Sequence, residues 1–187
     1  MATLTHGQLL NAVRSTALRS DLLCLYGLAR YSAPQTIVEI GVRNGGSTTA
    51  LLLAAQENKA KSFISIDIRK KYGNKFAGQK PWKFVHGDSR DPELPKKHGI
   101  KDIELFFLDS SHQKEDTEKE LRIWLPLIIN GGYAAFHDTK TFASGVKAPL
   151  LEYIKEQEKS GIHWYITELS DSPHGFLYMW KDGLIGF

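Results

Sequence analysis

Cysteine occurs once in the 187 residues, at Cys24, which excludes an internal disulfide and any cysteine-based metal cluster. Flanked by Leu22, Leu23 and Leu25, it is expected to be a buried small hydrophobe rather than a reactive thiol. Long apolar runs are also missing: nothing approaches the roughly 18 residues of a membrane span. Residues 1–7 form neither a signal h-region nor an Arg-rich transit peptide, so a cytoplasmic location is expected. Glycine (16) and proline (7) are too sparse and scattered for a collagenous or low-complexity chain. What is there, 42% hydrophobic and 24% charged positions, suits one soluble domain over residues 1–187 with a sizeable core. Residues 1–33 read as a helical cap and 34–187 as the core.

Net charge is only +3, but residues 59–101 hold twelve Lys or Arg against four Asp or Glu. Lys70, Lys71, Lys75, Lys80 and Lys83 are the densest part, a candidate contact for an anionic substrate or nucleic acid. No recognition-helix or RNP-like pattern accompanies them, which favours a solvated loop and helix face.

Leu9, Leu10, Val13, Ala17, Leu18, Leu22, Leu25 and Leu28 recur at helical spacing and predict one long or two short helices ending before Pro34. Strand and helix patterns then alternate. Strands are expected at 36–40, 62–68, 82–86, 103–108, 133–137, 164–169 and 176–180. Helices are expected at 47–58, near 92–98, at 113–129 and at 149–159. Such alternation implies βαβ units, a mainly parallel sheet and helices on both faces. The last two strands lie close enough in sequence to form an antiparallel edge hairpin.

In open α/β sheets, ligands bind beyond the carboxyl ends of the strands. Those ends carry Glu39-Ile40-Gly41, Asp67, Gly87-Asp88-Ser89, Asp109 and His137-Asp138. The first opens a Gly-rich turn, Gly41-Val42-Arg43-Asn44-Gly45-Gly46-Ser47, between a strand and a helix. Arg43 replaces the second glycine of a dinucleotide fingerprint, and Ser47 stands where a P-loop needs Lys.

The remaining pattern, acidic-x-Gly-x-x-x-Gly, resembles the first motif of class I S-adenosylmethionine-dependent methyltransferases. The resemblance implies a Rossmann-like methyltransferase fold, α/β, with a seven-stranded mostly parallel sheet. By it, Gly41 and Gly45 line the cofactor's methionine portion, and Glu39 and Ser47 orient its amino and carboxylate ends. Asp67 would accept the ribose hydroxyls, and Asp88 with Ser89 would read the adenine edge.

Phe106-Phe107-Leu108-Asp109-Ser110-Ser111-His112 and Gly131-Gly132-Tyr133-Ala134-Ala135-Phe136-His137-Asp138 bring two Asp and two His to neighbouring strand ends. Over residues 36–150, with Gly145-Val146 included, this resembles the metal-dependent small-molecule and sugar O-methyltransferases and the cephalosporin-hydroxylase-like proteins. The resemblance implies Asp109 beside the cofactor, and Asp109, His137 and Asp138 as ligands of a divalent ion, Mg²⁺ or Mn²⁺. Coordination would lower the pKa of an acceptor hydroxyl. Several relatives carry an acid at the place of His137, and an imidazole suits Mn²⁺, Fe²⁺ or Zn²⁺ better than Mg²⁺. Sugar-modifying relatives often carry an Asp at Ser111, which leaves His112 as general-base candidate, with His137 as its rival. A plainer reading makes His112 a surface residue at a helix start, with Ser110 and Gln113 as a capping box. His6, His86, His98, His163 and His174 show no paired ligand spacing and read as surface or packing residues.

The expected function is O-methylation of a small hydroxylated acceptor, with no membrane partner and with homo-oligomerisation open. Two alternatives stand beside it: a catalytically silent cofactor-binding or oligomerisation module, and an RNA methyltransferase using the 59–101 segment.

Overall fold

The computed structural model describes residues 3–15 and 19–182. Ala17 and Leu18, counted above in the N-terminal pattern, lie outside them. The N-terminal pattern resolves into two helices, α1 (His6–Arg14) and α2 (Arg19–Ser32). Helix α1 starts in a capping box in which Thr5 and Gln8 satisfy each other's backbone N–H groups.

The core then runs β1 (Thr36–Ile40), α3 (Gly46–Glu57), β2 (Ser62–Asp67), β3 (Trp82–His86), α4 (Leu94–Lys97), β4 (Ile103–Leu108), α5 (Lys114–Trp124), β5 (Ile128–His137), α6 (Ala148–Lys159), β6 (Trp164–Glu168) and β7 (Phe176–Lys181). The seven strands are ordered β3-β2-β1-β4-β5-β7-β6. All pairs are parallel except β5–β7 and β7–β6, the expected edge hairpin.

Both faces of the sheet are covered, so the central strands carry apolar residues on both sides, as at Ile37-Val38, Phe63-Ile64 and Leu105-Phe106-Phe107-Leu108. Ile37, Phe63, Leu105, Phe107 and Ala135 pack under α1–α3. Their neighbours Val38, Ile64, Phe106, Leu108, Ala134 and Phe136 pack under α5 and α6, against Leu121, Trp124, Leu150 and Ile154. Each fully buried side chain of this size contributes about 1.5–3 kcal/mol. The alternation also fixes where the polar ends point: Glu39, Asp109 and His137 continue the rows that face α1–α3.

Three expectations are corrected. The helix expected over 113–129 stops at Trp124, because Pro126 lacks an N–H, and the chain continues as a 3₁₀ turn, Leu125–Leu127. Strand β5 begins at Ile128 and contains the glycine pair; Gly131, at φ +82°, absorbs a register shift opposite Ile103–Leu105. Between β2 and β3 the chain forms a 3₁₀ turn, Lys70–Asn74. Cys24 is only partly buried, and desolvation pushes its thiol pKa up. No helix among the described residues is long and apolar enough to cross a membrane.

Candidate active site

Strand order reverses between β1 and β4, and a crevice opens beyond their carboxyl ends. Gly41 is at φ +92°, and a Cβ there would lie 2.0 Å from the Asp109 carbonyl oxygen, so only glycine fits where the two strand ends converge. Two backbone bonds hold the turn, Gly41 N–H to Ile66 O and Asp109 N–H to Ile40 O, both 2.9 Å. Gly45, at φ +78°, is the N-cap of α3 and leaves its first turn without a side-chain cap, an arrangement suited to a carboxylate.

Two cavities flank this turn. One, of about 530 Å³, lies between the turn, α2, Phe107, His137 and Phe176. The other, of about 430 Å³, lies between β2, β3 and the start of α5. Arg43 and Asp109 line both.

Asp67 borders the smaller cavity and braces the turn. Its Oδ2 accepts from Val42 N–H (2.9 Å) and its Oδ1 from Arg69 N–H (2.8 Å). Oδ2 also accepts from Arg43 N–H at 3.4 Å, and Oδ1 retains a lone pair for a hydroxyl. Asp88 lies across the same cavity in a bidentate pair with Arg90, at 2.7 and 2.8 Å, and Arg90 also holds Asp116 at 2.7 Å. The guanidinium keeps the Asp88 carboxyl below its usual range. Ser89 is buried, and its hydroxyl donates to Glu120, as does that of Ser110. Burial raises the Glu120 pKa against these two donors. The capping box expected at Ser110 and Gln113 does not form, because Ser110 is turned to Glu120. Ser111 instead donates to Asp116, at 2.7 Å.

Glu39 requires a correction: it lies beneath the turn and lines neither cavity. Its two oxygens accept from Ser47 (2.6 Å), Thr48 (2.8 Å) and Ser65 (2.6 Å). It therefore ties β1 to α3 and β2 rather than reaching a ligand. Burial pushes its pKa up to about 7 against those three hydroxyls. Ser47 lines the larger cavity with its hydroxyl turned inward to Glu39.

The two aspartates and two histidines at the ends of β4 and β5 come together. His112 Nε2 lies 2.9 Å from Asp109 Oδ1 and 3.1 Å from Asp138 Oδ2. His137 Nδ1 lies 3.2 Å from the same Asp138 oxygen and 3.7 Å from the same Asp109 oxygen. His112 is far from an exposed helix-start residue: it stacks on Phe142, with ring centroids 4.8 Å apart and an 11° interplanar angle. A Cβ on Gly145 would lie 2.0 Å from the His112 carbonyl oxygen, which explains glycine in the π-helical turn Ala143–Lys147. Burial alone would raise the Asp109 pKa, but His112 and His137 outweigh it and hold the carboxyl well below its usual range. Burial would lower the His137 pKa, and Asp109, Asp138 and Asp21 outweigh that and push it up to about 11.

The ligand atoms of Asp109, His137 and Asp138 lie within 4.8 Å of one another. Atoms about 2.1 Å from one ion sit roughly 3.0 Å apart at octahedral and roughly 3.4 Å apart at tetrahedral angles, close to the separations seen here. His137 Nδ1 is buried and, among the described residues, has no hydrogen-bond partner. This oxygen and nitrogen donor set fits a divalent ion.

Three site residues escaped sequence reasoning. Glu120 carried only the signal of a helix position. Asp21 sits in the first turn of α2, where an acid reads as an ordinary partner of the helix dipole, yet it is buried with Oδ2 3.2 Å from His137 Nε2. His174, read above as surface or packing, lines the larger cavity 6.1 Å from the His137 ring and 3.1 Å from Thr141 Oγ1. The basic segment is partly consumed locally: Lys75 reaches the Asn44 carbonyl (2.8 Å), and Arg90 and Lys97 pair with Asp88, Asp116 and Asp91.

Comparison with known proteins places this geometry. Residues 38–139, more than half of the chain, match the methyltransferase domain family. No curated protein sequence matches. Among solved structures, the O-methyltransferase from Bacillus cereus in complex with SAH is 12% identical, with a TM-score of 0.70 over 92% of this chain and 88% of that one. CalS11, a TDP-rhamnose 3'-O-methyltransferase, is 19% identical, with a TM-score of 0.68 over 88% and 80%. The MycE methyltransferase from the mycinamycin biosynthetic pathway, in complex with Mg and SAH, is 16% identical, with a TM-score of 0.59 over 81% of this chain and 47% of that one. At these identities the likeness is one of fold, and the family match supplies the activity class. The chain belongs to the methyltransferase domain family, with the Rossmann-like fold of the class I S-adenosylmethionine-dependent enzymes.

Proposed function

We propose that this domain methylates a hydroxyl oxygen of a small acceptor, with Asp109, His137 and Asp138 holding a divalent ion and His112 as general base. The observation that carries the reading is the convergence of these four side chains beside the larger cavity, which Asp109, His137 and Asp138 line, with His137 Nδ1 buried and unpartnered among the described residues. Two of the solved structures named above are O-methyltransferases, one of them for TDP-rhamnose, and the third is a methyltransferase in complex with Mg and SAH; all three support this assignment.

Asp67 holds the ribose hydroxyls and Asp88 borders the adenine, in the smaller cavity. The turn from Gly41 to Gly45 and the first turn of α3 receive the methionine end, so that the methyl group faces the larger cavity. S-adenosylmethionine supplies an activated methyl group: the acceptor oxygen forms the new O–C bond as the C–S bond breaks, and the electron pair stays on sulfur. A divalent ion supplies positive charge that lowers the pKa of the acceptor hydroxyl. His112 takes up the hydroxyl proton at Nδ1, because Nε2 keeps its hydrogen between the carboxylate oxygens of Asp109 and Asp138 at 2.9 and 3.1 Å, which also stabilise the resulting imidazolium. Leu22, Leu25, Phe107 and Phe176 give the acceptor an apolar wall that excludes water from the reacting oxygen.

Calorimetric titration with S-adenosylmethionine and S-adenosylhomocysteine tests the reading, followed by turnover on catechols, polyols and sugar nucleotides with and without chelator. Binding to the unsubstituted chain, weakened at least about tenfold in Asp67→Ala, is expected. Absence of binding by both ligands overturns the assignment, and methyl transfer indifferent to chelation overturns its ion clause.

A further inference from the structure

We propose that Asp21 is a positioning residue that makes His137 Nδ1 the ion-facing atom of the site, and that the site therefore prefers a first-row transition ion such as Mn²⁺ over Mg²⁺. The inference rests on the ion site proposed above and specifies its chemistry.

The fold sets up the contact. His137 ends β5 on the sheet face that α2 covers, and α2 lays Asp21 beside it. Asp21 is 2% exposed, an arrangement that costs several kcal/mol for a carboxylate unless it is paired. Its ion-pair partner among the described residues is His137, with Nε2 at 3.2 Å, while Ser20 Oγ lies 3.4 Å from its other oxygen. An ion at the site displaces one of the two ring protons of His137, and the neutral imidazole that results carries one N–H. A carboxylate at Nε2 keeps that hydrogen there and leaves the lone pair on Nδ1, the atom between Asp138 Oδ2 and Asp109 Oδ1. Carboxylate, histidine and ion in line is the general arrangement by which proteins fix the ring orientation of a ligating histidine and raise its basicity.

The donor set then selects the ion. One imidazole nitrogen with two carboxylate oxygens suits Mn²⁺, Fe²⁺ or Zn²⁺, whereas Mg²⁺ takes oxygen ligands and gives up water reluctantly. Leu22 and Leu25, next along α2, wall the same cavity, so the helix that shapes the acceptor space also orients the ligand.

The test uses the full chain without methyl donor or acceptor. Mn²⁺ affinity is read from the electron paramagnetic resonance of the free ion, Mg²⁺ affinity by competition, and nitrogen ligation from electron spin-echo modulation of bound Mn²⁺ with ¹⁵N-histidine. Mn²⁺ is expected to bind at least about tenfold more tightly than Mg²⁺, with a histidine nitrogen coupling that disappears in His137→Ala. Asp21→Asn is expected to weaken Mn²⁺ binding about 10–100-fold and to narrow the Mn²⁺ to Mg²⁺ ratio. Equal affinities without a nitrogen coupling, or an Asp21→Asn chain that binds Mn²⁺ as well as the unsubstituted one, overturn the inference and leave the ion site standing. Failure of both ions to bind overturns the two together. If Asp21→Asn does not fold, the affinity ratio and the nitrogen coupling of the unsubstituted chain still decide.

Discussion

Glu39 has the sequence signature of a ligand-contacting acid, and its burial assigns it to the scaffold. With a folded-state pKa pushed up to about 7 and an ordinary unfolded value near 4.5, it holds a proton in the folded chain that the unfolded chain has released across that window. Folding then takes up a proton, so this group's contribution to stability falls as pH rises from about 4.5 to 7, by at most about 3 kcal/mol. Chemical denaturation at pH 5 and pH 8 should show the unsubstituted chain losing stability relative to Glu39→Gln, and a pH-independent difference contradicts it. At His112, Ala substitution should lower kcat about 10²–10⁴-fold with little change in cofactor affinity, read by steady-state kinetics beside calorimetry. At this scale the strand-end carboxylates were legible, because a polar residue closing an apolar run marks the mouth of the sheet. Asp21 and His174 were not, since their proximity to His137 is made by tertiary folding across 116 and 37 positions of chain.

Among the elements, β3 and β4 match their expected bounds, where aromatic or β-branched runs end in turn chemistry on both sides. Helix α5 ends five residues early at the Leu125-Pro126 turn, where amphipathic spacing concealed a proline stop. Trp124, at its last position, is fully buried, stacks on Phe106 and donates from Nε1 to the Ser89 carbonyl at 2.9 Å. Trp124→Phe should therefore cost about 1–3 kcal/mol, measured by urea unfolding, since the carbonyl is left without that donor. The π-helical turn after β5 depends on Gly145, whose missing side chain admits the His112 carbonyl. Gly145→Ala should displace His112 and lower turnover more than it lowers cofactor affinity, a split that steady-state kinetics and calorimetry together can measure.

For the whole molecule, alternation of strands and helices was enough to give sheet, hairpin and ligand face, because covering both faces of a parallel sheet leaves few topologies. What the pattern could not show is that α1 and α2 cover the same face as α3 and close the larger cavity. Saturation with S-adenosylhomocysteine at about 100 times its Kd should stabilise the whole domain by about 2.7 kcal/mol, visible as a rise in Tm that Asp67→Ala diminishes. The two chambers share little of their lining. Among the described residues, Arg43 and Asp109 alone border both chambers. Under the proposed assignment, substitutions at Ala12, Leu22, Leu25 and His174 would reshape the acceptor chamber while leaving Asp67 and Asp88 in the methyl-donor chamber untouched.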